Sequence, residues 1–396
     1  MNIIDWVLYI PLTLCVCYLL LYAIASKFYR APQYPEARTL RHIAVLFPAY
    51  KEDRVILSSV RSFLEQDYPK ELFDLVVISD QMQPETNEAL RTLPIRLLMA
   101  DYTESSKAKA LAMAMNNIDT DLYDIVVIMD ADNVTVPEFL SCINRAFDSG
   151  VRSIQAHRTG KNLNTDISIL DSASEEINNA IFRRGHVALG LSSALIGSGM
   201  AFEYKWFRDN IARCTTSGED KELEALLLRQ GIYIDYIDGL RVLDEKVQGE
   251  GAYYNQRRRW IAAQFYALGS AVRQLPGAIA AGNLDYCDKL LQWCLPPRIL
   301  LMGLVPLWTT AMTVFDPLGS IKWWIVLLLL LFALALALPD EQTDRQLGRA
   351  LRRMPVLFLL TAANLFRLRG TKDKFIHTEH TGAGGNAPGA NTPTEP

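Results

Sequence analysis

The sequence predicts an α/β domain built on a mostly parallel sheet, flanked by helices that cross a membrane. Three observations lead there. From about 41 to 256, short apolar runs alternate with amphipathic stretches. Long uncharged runs lie near the two ends of the chain. Several central runs stop at acidic residues, the strand ends where open α/β sheets bind ligands. The 396 residues carry 40 Lys+Arg against 44 Asp+Glu, and this near balance excludes a general nucleic-acid binder. With 50% hydrophobic residues and a mean hydropathy of +0.08, disorder throughout and a small disulfide scaffold are excluded too.

The first element is the run Trp6 to Ala25, whose length at about 1.5 Å per residue matches a hydrocarbon core of about 30 Å. A signal peptide is the rival reading, but Asp5 stands where a basic segment would precede it and no small-residue cleavage site follows. Late in the chain, Ile299 to Phe315 and Trp323 to Leu338 are separated by Asp316-Pro317-Leu318-Gly319-Ser320, which reads as a transmembrane hairpin. Lys27, Arg30, Arg38 and Arg41 follow the first run, and Arg345, Arg349, Arg352 and Arg353 follow the third; Lys322 alone lies near the turn. This bias places the N-terminus outside and residues 27 to 295 in the cytoplasm, on the cytoplasmic (inner) membrane. Met354 to Phe366 is short for a span and basic on both sides, so it reads as interfacial or re-entrant. The predicted domains are therefore 1–28, an N-terminal span; 29–256, catalytic; 257–295, interfacial helices; 296–340, the hairpin; 341–380, an interfacial segment; and 381–396, a disordered tail. Six scattered cysteines and five dispersed histidines form neither a disulfide framework nor a zinc site.

Within the central segment, His42 to Phe47, Phe73 to Ser79, Ile95 to Met99, Asp124 to Met129 and Val151 to Ala156 read as strands. Val55 to Glu65 and Lys107 to Asn116 read as helices between them. Asp130-Ala131-Asp132 follows a strand directly, so its two carboxylates suit a divalent cation that bridges to diphosphate oxygens; an exposed acidic loop is the plainer alternative. Asp220, in Ser217-Gly218-Glu219-Asp220, suits a general base, although acids are also favoured in the first turn of any helix. Gly197-Ser198-Gly199 frees the backbone for close approach to a ligand, or simply forms a tight turn. Gln256-Arg257-Arg258-Arg259-Trp260 offers guanidinium groups for a diphosphate and an indole for a sugar face. It also fits the start of a membrane-surface helix with Trp260, Ile261, Phe265 and Leu268 towards lipid.

In order, Pro48-Ala49-Tyr50-Lys51-Glu52, Asp80, Lys107-Ala108-Lys109-Ala110-Leu111, Asp130-Ala131-Asp132, Gly197-Ser198-Gly199, Gly218-Glu219-Asp220 and Gln256 to Trp260 resemble the D, DxD, (T/G)ED and QxxRW series of membrane-integrated family 2 glycosyltransferases. Cellulose, chitin, hyaluronan and exopolysaccharide synthases share that series. The resemblance implies a GT-A, Rossmann-like catalytic domain with flanking transmembrane helices, and an inverting β-transfer from a UDP-sugar. By it, Tyr50, Glu52 and Asp80 hold the uridine and Lys107 lies near the nucleotide. Asp130 and Asp132 position Mg²⁺ or Mn²⁺ and the donor, Asp220 is the catalytic base, and Arg259 binds the diphosphate. Gln256, Trp260 and Gly199 belong to the acceptor end. Phe375-Ile376-His377-Thr378-Glu379-His380 resembles the gating loop of cellulose synthases, with His377 and His380 in place of Val and Lys. Two departures stand out: Asp80 lacks the usual second acidic neighbour, and three spans are fewer than polymer-conducting synthases have. The implied acceptor is a growing polysaccharide or a lipid at the bilayer. Three spans leave little room for a polymer channel in one chain, which leaves a place for an oligomer or an export partner. A single-addition glycolipid transferase and a sugar nucleotidyltransferase are the competing functions.

Overall fold

The structure is a computed structural model that describes residues 3–118, 121–340 and 345–366. Its sheet contains β1 Ile43–Tyr50, β2 Phe73–Asp80, β3 Arg96–Ala100, β4 Ile125–Ile128, β5 Val134–Thr135, β6 Ser153–Gly160, β7 Met200–Glu203 and β8 Asp235–Asp244. Among these strands the order is β3-β2-β1-β4-β7-β6-β8-β5. The helices are α1 Ile3–Ser26, α2 Ile56–Leu64, α3 Pro84–Arg91, α4 Lys107–Asn117, α5 Phe139–Asp148, α6 Asp166–Asn179, α7 His186–Ala188 and α8 Tyr204–Ile211. They continue with α9 Glu219–Arg229, α10 Glu250–Ala271, α11 Leu275–Ala280, α12 Leu284–Cys294, α13 Arg298–Phe315, α14 Ile321–Ala337, α15 Arg345–Ala350 and α16 Met354–Phe366. A π-helical turn, Ala180–Gly185, joins α6 to α7.

The five expected strands are present, but the sheet is more mixed than the sequence reading implies. β1 pairs in parallel with β2 and β4, β2 with β3, and β6 with β8; β7 runs antiparallel to both β4 and β6, and β5 antiparallel to β8. Alternation of side chains divides the core between two faces. Ala44 and Leu46 of β1 pack with α4, α8, α9 and α12 on one face, while Ile43, Val45 and Phe47 pack with α2 and α5 on the other. Both faces are covered, and the strands are accordingly apolar almost without a break.

α1, α13 and α14 form a helical layer on the π-helical turn, through Val16, Leu19, Ala180, Ile181, Leu301, Val305, Val326 and Leu330. Gly185 sits where any Cβ would run into the Tyr22 carbonyl, which lets α1 press onto the catalytic domain. At the opposite end of α1, Asp5 pairs with Lys322 and accepts a hydrogen bond from Trp323 Nε1 at 2.8 Å, so the start of α1 meets the start of α14. By length and composition α1 and α13 could cross a membrane, and α14 is a shorter apolar helix of the same kind. α16 lies against α13, where Gly303 faces the Phe358 ring, and reaches α10 through Asn364 Nδ2 donating to the Tyr254 carbonyl at 3.1 Å. The stretch 375–380 and the tail 381–396 lie outside the described residues.

Two expectations need correction. α10 runs unbroken through the boundary drawn at residue 256, because its first half lines the catalytic domain and its second half packs Ala267 and Ala271 into the same core. Its supposed lipid face is likewise divided. Phe265 is half exposed, but Ile261 is buried and Leu268 packs against the core.

Candidate active site

Parallel strands β1, β2 and β4 end side by side, and their ends supply the first wall of a cavity of about 400 Å³. Lys51 and Gln81, the residues immediately after β1 and β2, both take left-handed backbone conformations with φ of 56° and 55°. Such conformations in non-glycine residues cost free energy and concentrate at functional sites. Here they turn the chain at the strand ends, and Lys51 N–H donates to the Asp80 carbonyl at 3.1 Å. Tyr50, Glu52 and Asp80 line the cavity. Burial pushes the Asp80 carboxyl above its ordinary range, and its Oδ1 has no hydrogen-bond partner among the described residues.

Lys107 opens α4, whose N-cap is Ser106 accepting from Lys109 N–H. Its ammonium donates to Asp130 Oδ1 and, at 2.7 Å, to the Gly197 carbonyl, and stands 3.8 Å from Glu219. Burial alone would pull Lys107 down, but Asp130 and Glu219 outweigh it and hold the ammonium above its usual value. Gly197 presents that carbonyl at φ +90°, which favours glycine. Gly199 is elsewhere. It does not line the cavity: a Cβ there would lie 2.9 Å from Val242 and 3.4 Å from Ala156, so its small size lets the chain entering β7 pass close to side chains of β8 and β6.

Asp130 and Asp132 point to different duties. Asp132 is buried, with Oδ2 accepting from Glu245 N–H at 2.6 Å, and so ties the loop after β4 to the end of β8. Asp130 keeps a third of its side chain exposed, between Lys107 and Arg158. Two hard oxygen donors of this kind fit a divalent cation that draws its remaining ligands from water and substrate phosphate. No group of three or more His, Cys, Asp or Glu side chains that could hold a metal ion occurs among the described residues.

Behind Asp130 lies a buried ionic network that the sequence did not reveal. Arg158 on β6 meets Glu175 of α6 at 3.1 Å and Asp244 of β8 at 3.5 Å; Lys246 meets Glu175 and Asp244, each at 2.8 Å. Burial works against Glu175, but Arg158 and Lys246 hold it well below the carboxylate range, while burial pushes Asp244 up. These four positions are separated by up to 88 residues, and no local pattern joins them.

The last wall is made by α9 and α10. Gly218, ahead of α9, accommodates Ala263 of α10 where a Cβ would come within 2.7 Å. That contact brings Glu219 and Asp220 beside Arg259. Burial pushes Glu219 up, whereas Asp220 is partly exposed and accepts from Lys221 N–H at 2.9 Å. Helical spacing carries Gln256, Arg259, Trp260 and Ala263 to the cavity. The three arginines do not act as one group. Arg257 pairs with Asp171 and lies over the Trp260 ring at 4.5 Å, and Arg258 is not on the cavity wall. Arg259 is on it; burial pulls its guanidinium down against the opposing charges of Glu219, Asp130 and Asp220.

Ten predicted residues thus meet in one cavity: Tyr50, Glu52, Asp80, Lys107, Asp130, Asp132, Asp220, Gln256, Arg259 and Trp260. A family model described as glycosyltransferase like family 2 matches residues 41–263, which include all ten. The chain belongs to this family. The enzyme is a glycosyltransferase with a Rossmann-like fold. It is 24% identical over 315 residues to an N-acetylglucosaminyltransferase of Rhizobium meliloti (strain 1021), covering 74% of this chain and 70% of that protein. An N-acetylglucosaminyltransferase of Sinorhizobium fredii (strain NBRC 101917 / NGR234) is 25% identical over 295 residues, 68% of each. Among solved structures, the mannosyltransferase PcManGT of Pyrobaculum calidifontis, in complex with GDP-Man and Mn²⁺, shares the fold of this glycosyltransferase. The TM-score is 0.55 at 19% identity, over 91% of this chain and 98% of that one.

Proposed function

We propose that this glycosyltransferase moves a sugar from a UDP-sugar to a hydroxyl of a glycan or lipid acceptor at the cytoplasmic face of a membrane, with inversion. The observation that carries the reading is the meeting of the ten residues in one cavity, nucleotide end and acceptor end together. Tyr50, Glu52 and Asp80 hold the uridine, and the unpartnered Asp80 Oδ1 suits the imide N–H of uracil. Asp130 and Asp132 hold the divalent cation, Mg²⁺ or Mn²⁺, which when bound neutralises charge on the departing diphosphate. Arg259 adds its charge to the same diphosphate, and Lys107 braces Asp130 and Gly197. Gln256 and Trp260 receive the acceptor, and Asp220 takes the proton from its hydroxyl as that oxygen attacks the anomeric carbon. A nucleotidyltransferase would give α10 no reason to line the same cavity.

Membrane integration is supported by the outward faces of α1, α13 and α14, where Ile3, Val7, Leu14, Leu307, Val314, Leu328 and Phe332 are exposed. Trp6, Tyr9, Trp308 and Trp323 surround the Asp5–Lys322 pair at one end, as an interfacial aromatic belt would. The described α16 bridges α13 and α10, which favours an interfacial course over a fourth span.

Nucleotide release by the purified full chain in lipid nanodiscs, with UDP-N-acetylglucosamine, UDP-glucose, UDP-galactose and GDP-mannose, tests the proposal. N-acetylglucosamine comes first because both curated relatives carry it in their names. Release from a UDP-sugar, abolished by chelation and restored by Mg²⁺ or Mn²⁺, is the expected result; release from GDP-mannose alone overturns the donor assignment. Product length then separates polymer synthesis from single addition.

A further inference from the structure

The cavity does not stop at the acceptor residues. Its wall also contains Leu19 of α1, Phe182 of the π-helical turn, Trp293 at the end of α12, and Arg298 and Leu301 of α13. Among the described residues α1 and α13 are the two helices long and apolar enough to cross a membrane, so this part of the cavity lies where catalytic domain and helical layer meet.

Three N–H groups on this wall are buried and have no acceptor among the described residues: Arg257 Nε, Trp293 Nε1 and Arg298 Nη1. Arg257 has Asp171 to balance its charge. Arg298 has no comparable partner: its Nη2 donates to the Ser174 carbonyl at 2.7 Å and hydroxyl at 3.0 Å, its guanidinium lies over the Phe182 ring at 5.9 Å, and no ion pair engages it among the described residues. A guanidinium without a counter-charge, beside orphaned donors, is costly to bury and is relieved by an anion. Neutral glycan hydroxyls would leave the charge unbalanced, and a free inorganic anion would make no use of Leu19, Phe182 and Leu301.

We infer that this part of the cavity binds the phosphate of a lipid-linked acceptor, with the lipid chain leaving past Leu19 and Leu301 into the bilayer. The inference rests on the proposed transfer at the membrane face and names the acceptor class for it. Arg298 supplies the counter-charge, Arg257 Nε and Trp293 Nε1 supply neighbouring donors, and the sugar carried by the phosphate extends towards Trp260. The phosphate is held apart from the donor diphosphate, which Arg259 serves.

The test titrates farnesyl monophosphate, farnesol and inorganic phosphate into the full-length protein in phosphatidylcholine nanodiscs, read by tryptophan fluorescence, with UDP affinity measured on the same preparation. Farnesyl monophosphate should bind about tenfold or more tightly than farnesol, the scale of one or two charge-assisted hydrogen bonds. Inorganic phosphate should show no binding at those concentrations. Arg298→Gln should weaken farnesyl monophosphate by about tenfold or more while UDP affinity stays within about twofold. Equal affinity for farnesol, or unchanged affinity in Arg298→Gln, overturns the inference; inorganic phosphate binding as tightly as the lipid overturns the lipid assignment. Should Arg298→Gln fail to fold, Trp293→Phe removes a single donor and should still weaken the lipid phosphate by roughly threefold or more. If UDP binds and farnesyl monophosphate does not, this inference alone falls; if neither binds, the proposed donor reading falls with it.

Discussion

Beneath Asp130, Arg158 and Lys246 each find carboxylates within 3.5 Å, whereas on the α12–α13 side of the same cavity Arg298 and Trp293 hold buried N–H groups that nothing in the described protein accepts. Both regions place polar groups away from water, and both leave some atoms without a hydrogen bond, yet only in the first do the charges find counter-charges within the described protein. The paired network reaches Asp130 through Arg158, while Asp132 is held by Glu245 N–H, so both carboxylates have protein partners before any ligand arrives. An unpaired donor set reserves its hydrogen bonds for something that comes and goes. Charge pairing belongs to the Asp130 side of the cavity, and unmet hydrogen-bonding capacity to its α12–α13 side.

Breaking the chemistry at the point where the two ends meet should have the largest effect. Asp220→Asn should lower transfer by about 10²- to 10⁴-fold, the range of a lost general base, with UDP affinity little changed; steady-state rates beside UDP titrations measure both. Unimpaired transfer would refute the base assignment.

Next comes the paired network itself. Glu175→Ala leaves Arg158 and Lys246 buried with one carboxylate fewer, and should cost about 3–5 kcal/mol in denaturant unfolding. A loss under about 1 kcal/mol would mean that water already shares the site.

A third effect reads the same region through pH. Burial pulls His157 down, but hydrogen bonds to Asp238 and Glu176, both at 3.0 Å, raise it to about 9. Because the folded value lies above the ordinary one, the stabilisation is fully present below about pH 6.5 and is lost as pH rises through 9. Unfolding free energy should fall by about 3 kcal/mol across that window, and by much less in His157→Gln.

The smallest effect belongs to the unpaired side. Arg298→Gln should leave stability unchanged or raise it by about 1 kcal/mol, since it removes a buried charge that has no ion-pair partner at the expense of the hydrogen bonds to Ser174. A loss as large as that of Glu175→Ala would erase the distinction between the two regions.

Much of this was legible in advance, for identifiable reasons. β1, β2 and β4 are buried on both faces, so Ile43 to Phe47, Phe73 to Ser79 and Ile125 to Met129 announce themselves as apolar runs. Tyr50, Asp80 and Asp130 stand at or just beyond the strand ends, where fold topology brings them together whatever the loops do. β5, β7 and β8 were missed: two- and four-residue strands carry too little periodicity to read, and in β8 the apolar residues are interrupted by Asp238, Gly239 and Arg241. Gly197 and Gly199 could not be told apart, since one serves a carbonyl contact with Lys107 and the other a packing contact with Val242.

The order of the chemical groups along the chain, the apolar ends and the family were determined by the sequence, because each depends on residue identity at short or fixed spacing. The tertiary structure decided which two of three adjacent arginines face the cavity, which distant acids neutralise Arg158, and which donors beside α12 and α13 are left without an acceptor among the described residues. Those are questions of counter-charge and solvation, and burial in a folded chain depends on residues brought together from β6, α6, β8, α12 and α13, whose distance along the sequence says nothing about their distance in space.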